Sequence, residues 1–521
     1  MRKIILFIAC AMLCFSFKNL CATDIPAGNV YGHWTLANSP YNVTGNITVP
    51  QDSLLEIDAG VAVRFQAHFQ LHITGRVLAI GTSSNPIIFN ATFDWWGIRF
   101  YGISASQDSS IFYYCNIQDG NAHGGNNFQY GGAFYIESFS KVRIEQCTIT
   151  NNKASHGGAF YLYNASPKLF GNTISNNTAV NAYGGGIFCE SSSPSINNNV
   201  ITSNGSNIHC DHASSPDIIG NTITYGEFWG ICLENYSNPS IINNIISYNN
   251  VGICMSRCAP KIIGNLITYN SGNDYGPGIF CYSNSNPEIT NNTIAYNVSN
   301  DIGGGICLQS GASPTIKNNI LWENSAANNQ GNQVCLSTDC SPVFYNCDIQ
   351  GGSTEFYYND APATFSGTYL NNLDSNPLFI DAVSNDFNLQ PASPCIDAGI
   401  ETGITLPLTD LLGNSRVCNG VIEIGAFELC PIGVNDFYLN MIQVIFYPIP
   451  SRENMTLEIT INDLPKNLQL QFTNLLGKFM KRVLIQSPKT NIPLDGMIPG
   501  IYSYQLRSDD NFIRNGKIII K

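Results

Sequence analysis

The sequence predicts an all-β protein whose body is a parallel β-solenoid. Three observations predict it. The middle of the chain repeats: aligned on the residue that follows each glycine corner (Ala133, Ala159, Ile187, Ile208, Ile231, Ile253, Ile279, Ile306 and Val334), the steps are 26, 28, 21, 23, 22, 26, 27 and 28 residues. Each unit reads roughly G-I-x-[CL], a polar stretch, S/N/A-P-x-I, then x-x-N-x-I-x-x-N, so short strands alternate with Gly-Gly, Ser-Pro and Asn-Asn corners. No helical period runs through any unit. Units of this size built only from strand and turn suit one coil of a parallel solenoid. Helical repeats need longer units, and leucine-rich repeats need a leucine spacing that is missing.

Taken from the start, residues 1–22 read as a secretory signal: Arg2 and Lys3, an apolar run over 4–17, and a small residue at Ala22. The run is too short to span a membrane, and no later segment supplies a span. The mature chain is expected to start near Thr23 and to lie outside the cytoplasm. Only 12% of residues are charged, too few for helices with charged faces, while the chain is too apolar for disorder. Residues 23–434 carry 11 basic and 30 acidic residues, a balance of −19, whereas residues 435–521 carry 10 and 7, a balance of +3. The acidic body argues against nucleic-acid binding through bulk electrostatics, and the basic tail marks a separate domain. Three of the 18 cysteines fall in the signal, leaving an odd 15 and hence at least one unpaired; metal-type C-x-x-C pairs are absent.

Residues 23–100 are expected to form the N-terminal cap and first coils, and residues 101–372 the repeats. Stacked coils sit ~4.8 Å apart, so equivalent residues form ladders. One ladder is Asn172, Asn199, Asn221, Asn244, Asn265, Asn292 and Asn319, with Cys115, Cys147 and Cys347 in the same place at its ends. A second lies five residues on, at Asn177, Asn204, Asn249, Asn270, Asn297 and Asn324, with Gly226 in the one gap. Asn tolerates the left-handed backbone of a tight corner, and its amide can also bond to the one above. The glycine in the gap favours the conformational role, so each ladder Asn is expected to turn a corner.

The pattern resembles the right-handed parallel β-helix family of pectate-lyase-like proteins over about residues 45–350. L-L-E-I-D-A-G-V-A-V-R-F (54–65), I-T-G-R-V-L-A-I-G-T-S-S-N-P-I-I-F (73–89) and W-W-G-I-R-F (95–100) are similar to the first coils of such solenoids. Right-handedness is implied by the resemblance. Residues 373–430, with N-P-L-F-I-D, S-P-C-I-D-A-G and I-E-I-G-A-F-E, resemble a choice-of-anchor segment found after β-helices in bacterial surface proteins. Such a segment is expected to cover the open edge of the last coil. Cys395 and Cys418 are either a disulfide there or two buried thiols. Residues 431–521, with F-Y-P-I-P (446–450), N-L-L-G-K (474–478), P-L-D-G-M-I-P-G-I-Y-S-Y-Q-L (493–506) and a Lys-ending tail, look like the C-terminal sorting domain of the type IX secretion system. Ile449 stands where that family usually has Asn. The resemblance implies a small β-sandwich, recognition by the type IX machinery, and a secreted or outer-membrane cell-surface location in a Gram-negative bacterium. A monomer is expected.

The β-helix hosts lyases, inverting hydrolases and catalytically silent adhesins, so fold does not settle activity. Polygalacturonase-type strings such as N-T-D, G-H-G and R-I-K do not occur, and no paired calcium carboxylates of the pectate-lyase kind stand out. One candidate site remains. Three residues after the aligned position, on the outward face, stand Glu190, Asp211 and Glu234 in consecutive coils, with His209 one residue after it. The outer two acids, two coils apart, would lie ~9 Å apart, near the upper separation for an inverting glycosidase. Phe228 and Trp229 in the preceding corner could stack on sugar, and calcium could bridge the acids. The alternative is a solvated acidic stripe. The same register pairs Cys232 with Cys254 and Cys307 with Cys335 outward, as disulfide rungs or free thiols, stacks Cys189 on Cys210 inward, and leaves Cys281 alone. The expected function is a binding or adhesion module for polysaccharide. A lyase or inverting hydrolase on the acidic ladder is the alternative, and a structural surface-layer component the second.

Overall fold

The computed structural model describes residues 22–429 apart from 181–182, 274, 361–364, 402, 404–405 and 419, and residues 443–447, 451, 454–460, 467–474, 479–497, 500–508 and 511–520. Residues 1–21 of the expected signal 1–22 and the motif residues 448–450, 475–478 and 498–499 lie outside the described residues. The chain divides into two units, Met1–Leu429 and Cys430–Lys521.

The first unit is a solenoid of three parallel sheets, each of 14 strands. One coil runs through Val200–Thr202 in the first sheet, Ile208–Asp211 in the second and Asp217–Ile219 in the third, before Thr222–Thr224 re-enters the first. Like residues therefore stack in register, Ile201 beside Ile223 and Ile196 beside Ile218. These side chains point inward and are fully buried, in one column of core that reaches from Val30 to Phe356. Burying each Ile is worth about 1.5–3 kcal/mol, and the pleated stack suits β-branched shapes. The alternation of one inward residue with polar corners is what the repeat encodes.

The structure reassigns the corner. Each ladder Asn points inward, and the left-handed residue is the one before it. Gly171, Gly220 and Gly264 take φ of 65°, 66° and 67°, while Asn198, Asn243, Asn291 and Asn318 take 56°, 51°, 54° and 52°. This explains why the motif varies between G-N and N-N: only the first position needs φ > 0, which Gly and Asn supply at least cost. The second position needs an amide. Asn292 Nδ2 donates to Asn319 Oδ1 at 2.9 Å, and its Oδ1 accepts from the backbone N of Asn265 at 2.8 Å and from Asn265 Nδ2 at 2.9 Å. Cysteine continues the column at its ends because sulfur still accepts: Asn319 N donates to Cys347 Sγ at 3.4 Å and Cys115 N to Cys147 Sγ at 3.3 Å. Nor does Gly226 merely fill the gap in the second ladder. Asn207 threads its amide through that level, bonding Asn204 at 2.9 Å and Asn249 at 3.0 Å, and a Cβ on Gly226 would meet Asn207 Nδ2 at 3.0 Å.

A second reassignment concerns register. Phe160 pairs with Ile187 and Phe134 with Phe160, so these two, not Ala159 and Ala133, continue the column of Ile187 in the second sheet. Residues 373–429 also differ from a simple lid on the last coil. They run back along the flank, where the left-handed asparagines receive them: Asn243 donates to Thr409 O at 2.9 Å, Asn291 to Glu423 O at 2.9 Å, Asn318 to Ile400 O at 2.9 Å and Asn346 to Ala398 O at 3.2 Å. A buried Arg416–Glu428 pair at 3.0 Å holds the segment's own loop. Cys395 does not bond to Cys418. It is a free thiol donating to Asp348 Oδ2 at 3.2 Å, whereas Cys418 is disulfide-bonded.

The second unit holds a three-stranded antiparallel sheet, ordered Gln443–Tyr447, Asn454–Thr460, Lys489–Pro493, and a four-stranded one, ordered Phe479–Leu484, Gln469–Asn474, Gly500–Ser508, Asn511–Ile520. Leu457 and Ile492 from the first share a buried core with Leu470, Phe472 and Leu506 from the second.

Candidate functional site

The outward face of the second sheet is not open. Corner segments between the first and second sheets fold over it and bury a column of side chains in register: Tyr135, Tyr161, Phe188, His209, Cys232 and Cys254. The rings stack at 5.7 Å (Tyr135–Tyr161), 5.4 Å (Tyr161–Phe188) and 5.1 Å (Phe188–His209). Tyr130 stacks on Tyr161 at 4.6 Å and Tyr183 meets His209 edge-on at 5.2 Å, both from the covering segments. Cys232 stands beside Cys254 and Cys307 beside Cys335 as register requires, with Phe280 between the two pairs, but all four are buried free thiols. The hydrogen bond with Cys254 and burial push the Cys232 thiol up; burial and Cys335 do the same to Cys307.

The corrected register extends the acidic column downward to Glu137 and Tyr163, then Glu190, Asp211 and Glu234. Each acid has its own neighbour. Glu190 accepts from Tyr161 OH, a bond that together with burial raises that phenol. Glu137 accepts from Tyr135 OH at 2.9 Å. Asp211 accepts from Asn235 Nδ2 and from the His212 backbone N, both at 2.7 Å. Glu234 lies 3.2 Å from Nε2 of the buried His209. Trp229 flanks His209 with ring centroids 6.2 Å apart, and the exposed Phe228 adjoins Trp229 at 6.1 Å. The candidate residues are thus divided: His209, Glu234, Trp229 and Phe228 gather in one place, while Asp211 and Glu190 turn to other partners.

Sequence reasoning missed a different feature. Tyr225, Tyr248, Tyr269 and Tyr296 occupy one corner position in four successive coils, at φ of 53°, 59°, 54° and 56°. A bulky residue held there costs about 1–3 kcal/mol, so the choice of tyrosine reports on its side chain. The rings stack at 5.2, 5.4 and 5.4 Å. Tyr225 is 57% exposed at the free end, and Phe387 packs against Tyr269 and Tyr296 at the other. Beside Tyr296 opens a cleft of about 590 Å³ lined by Glu323, Asn332, Gln333, Gln350 and Glu355, and a second groove of about 300 Å³ shares Tyr296 and Glu323. The recurring Y-N in T-Y-N and A-Y-N was the available signal.

The three-sheet coil and the separate sandwich define an exported solenoid protein. The right handed beta helix region model matches residues 72–223 and 185–349, more than half of the chain, and the secretion system C-terminal sorting domain model matches 445–521. The chain belongs to the right-handed β-helix family and carries a type IX secretion sorting domain, which directs it to the outer-membrane surface or the medium of a Gram-negative bacterium. Among solved structures it is similar to the Dettilon tailspike protein (gp208), at 14% identity and a TM-score of 0.27 over 61% of this chain. It spans 62% of the length of that tailspike chain. No curated protein matches. Among the described residues, no helix is long and apolar enough to cross a membrane, which says nothing of β-barrels.

Proposed function

We propose that the protein is a non-catalytic polysaccharide-binding module of the cell surface, with the cleft beside Tyr296 as its glycan site. The cleft carries this reading: an aromatic wall, five side-chain amides and two exposed carboxylates line about 590 Å³, a volume suited to one or two sugar rings with many hydroxyls to satisfy. Amides supply donor and acceptor together, and a tyrosine face takes the apolar face of a sugar ring. The acidic column supports binding over lyase or hydrolase chemistry, because its carboxylates are already bonded to Tyr161, Asn235 and His209.

The test is affinity electrophoresis of the mature protein in uronate and neutral polysaccharides, with ultraviolet absorbance and reducing ends followed in parallel. Tyr296→Ala and Glu323→Gln are expected to weaken retardation by any glycan that binds, with no product released. Retardation unchanged in both variants would remove the cleft from the account. Product formation that disappears in Glu234→Gln would replace binding by catalysis.

A further inference from the structure

We propose that His68, Asp94 and His123 form a binding site for a divalent transition-metal ion of the zinc class. The three residues are far apart in sequence but come from the same corner, between the first and second sheets, of three consecutive coils. His68 follows Ala62–Phe65, Asp94 follows Ile87–Ala91, and His123 follows Cys115–Gln118. Parallel register stacks these strands, Phe65 beside Ala91 and Phe89 beside Ile117. One ligand atom from each of the three residues lies within 4.8 Å of the others, close enough for a single ion to touch all three.

The groups around the cluster fix it for ligation. His123 Nδ1 lies 2.8 Å from the carbonyl oxygen of Asn121. A carbonyl only accepts, so Nδ1 carries the proton and Nε2 keeps its lone pair for a metal. A backbone carbonyl on the far nitrogen is the usual support of a metal-binding imidazole. Asn121 also donates its Nδ2 to Asp94 Oδ2 at 2.8 Å, which orients the carboxylate. The other oxygen, Asp94 Oδ1, is shut off from solvent and makes its close contact with His68 Nδ1. The His68 and His123 rings stand edge to face at 4.6 Å, presenting two nitrogens to the same space. Asn121 is itself held by its backbone, which donates to Trp95 O at 2.7 Å. Two imidazoles and one carboxylate select zinc, cobalt, nickel or copper over calcium and magnesium, which take oxygen ligands. With side chains of His68 and Asp94 52% and 22% exposed, water can reach the remaining coordination positions. The site is independent of the glycan cleft.

Tag-free mature protein, stripped with chelator, is titrated calorimetrically with Zn²⁺ and separately with Ca²⁺, and Co²⁺ binding is followed by absorption. The expected result is one Zn²⁺ per chain, no Ca²⁺ binding, and a cobalt spectrum without a thiolate charge-transfer band. Asn121→Ala should weaken Zn²⁺ about 10–100-fold. The double variant His68→Ala/His123→Ala should lose it while keeping the circular dichroism and melting point of the metal-free protein. No 1:1 binding, binding undiminished in the double variant, or a thiolate band placing cobalt on the buried cysteines would each overturn the proposal.

Discussion

Two adjacent asparagines should respond to substitution in opposite ways. Asn199 is a ladder residue: its Oδ1 accepts from Asn172 N and Asn172 Nδ2, both at 2.9 Å, and its Nδ2 donates to Leu169 O and Asn197 O at 3.1 Å and to Asn221 Oδ1 at 3.0 Å. Asn199→Ala strands two donors on Asn172 where the surroundings are water-free. Each unmade buried bond costs about 1–3 kcal/mol, so about 2–6 kcal/mol is expected. Its neighbour Asn198 is exposed and held at φ 56°, which Gly adopts freely, so Asn198→Gly should change stability by less than about 1 kcal/mol. A solenoid can open coil by coil, so a global midpoint alone would blur the effect. Native-state hydrogen exchange at the Asn172 amide, alongside urea unfolding, reads it locally. Equal losses from the two variants, or an Asn172 amide protected as before in Asn199→Ala, would refute the division of roles.

The remaining expectations concern the flank segment and the thiols. Burial pushes the Asp348 carboxyl up to about 6, above its unfolded value, so the folded state holds the proton more tightly. Its contribution is therefore complete below about pH 4 and is lost as pH rises through about 6, at up to about 1.4 kcal/mol per pH unit. Asp348→Asn should flatten that slope in urea titrations at stepped pH; an unchanged slope counts against it. Arg416→Met leaves Glu428 buried and unpaired and should cost about 3–5 kcal/mol, whereas adding Glu428→Leu should restore much of it in a double-mutant cycle. With the partner-thiol hydrogen bond and burial raising Cys232, and burial and the Cys335 hydrogen bond raising Cys307, native protein at pH 8 should resist alkylation at those two positions, and unfolded protein should react without prior reduction. Mass-spectrometric detection of a Cys232–Cys254 or Cys307–Cys335 bridge would contradict the thiol assignment.

The fold was legible because the Ile spacing and the corner residues report the coil directly. The inward columns Ile196, Ile218, Ile241 and Ile201, Ile223, Ile246 follow from period alone. Two failures have physical causes. At G-G-A-F an alanine and a phenylalanine compete for the first inward place, and only the width of the coil decides for Phe134 and Phe160. At +1, the pattern places Phe188 and His209 outward, which is right, while the alignment on Ala159 put Tyr161 inward, which is not; and outward is not exposed here, because covering segments form a second apolar layer. The candidate site suffered from the same blindness. Carboxylates were found as a column, yet their partners Tyr161 and Asn235 come from other coils and other positions. The His68, Asp94 and His123 set left no motif, since its members share a corner and not a spacing.

The amide ladders also give the solenoid a direction. In the first row each Nδ2 from Asn172 to Asn292 donates one proton to the Oδ1 of the next coil's Asn and the other to a carbonyl of the preceding coil, so the amide-to-amide bonds all run one way. Aligned amides polarise one another, so the row behaves as a single electrical axis laid along the rod. Cysteine at either end has no side-chain amide, so the amide-to-amide bonds stop there, although the backbone N–H groups of Cys147 and Cys347 still donate to Asn172 Oδ1 and Asn372 Oδ1. A whole coil duplicated between Cys147 and Cys347 would lengthen that axis without disturbing its terminators, so the number of coils can change by copying a unit while the ends keep their chemistry.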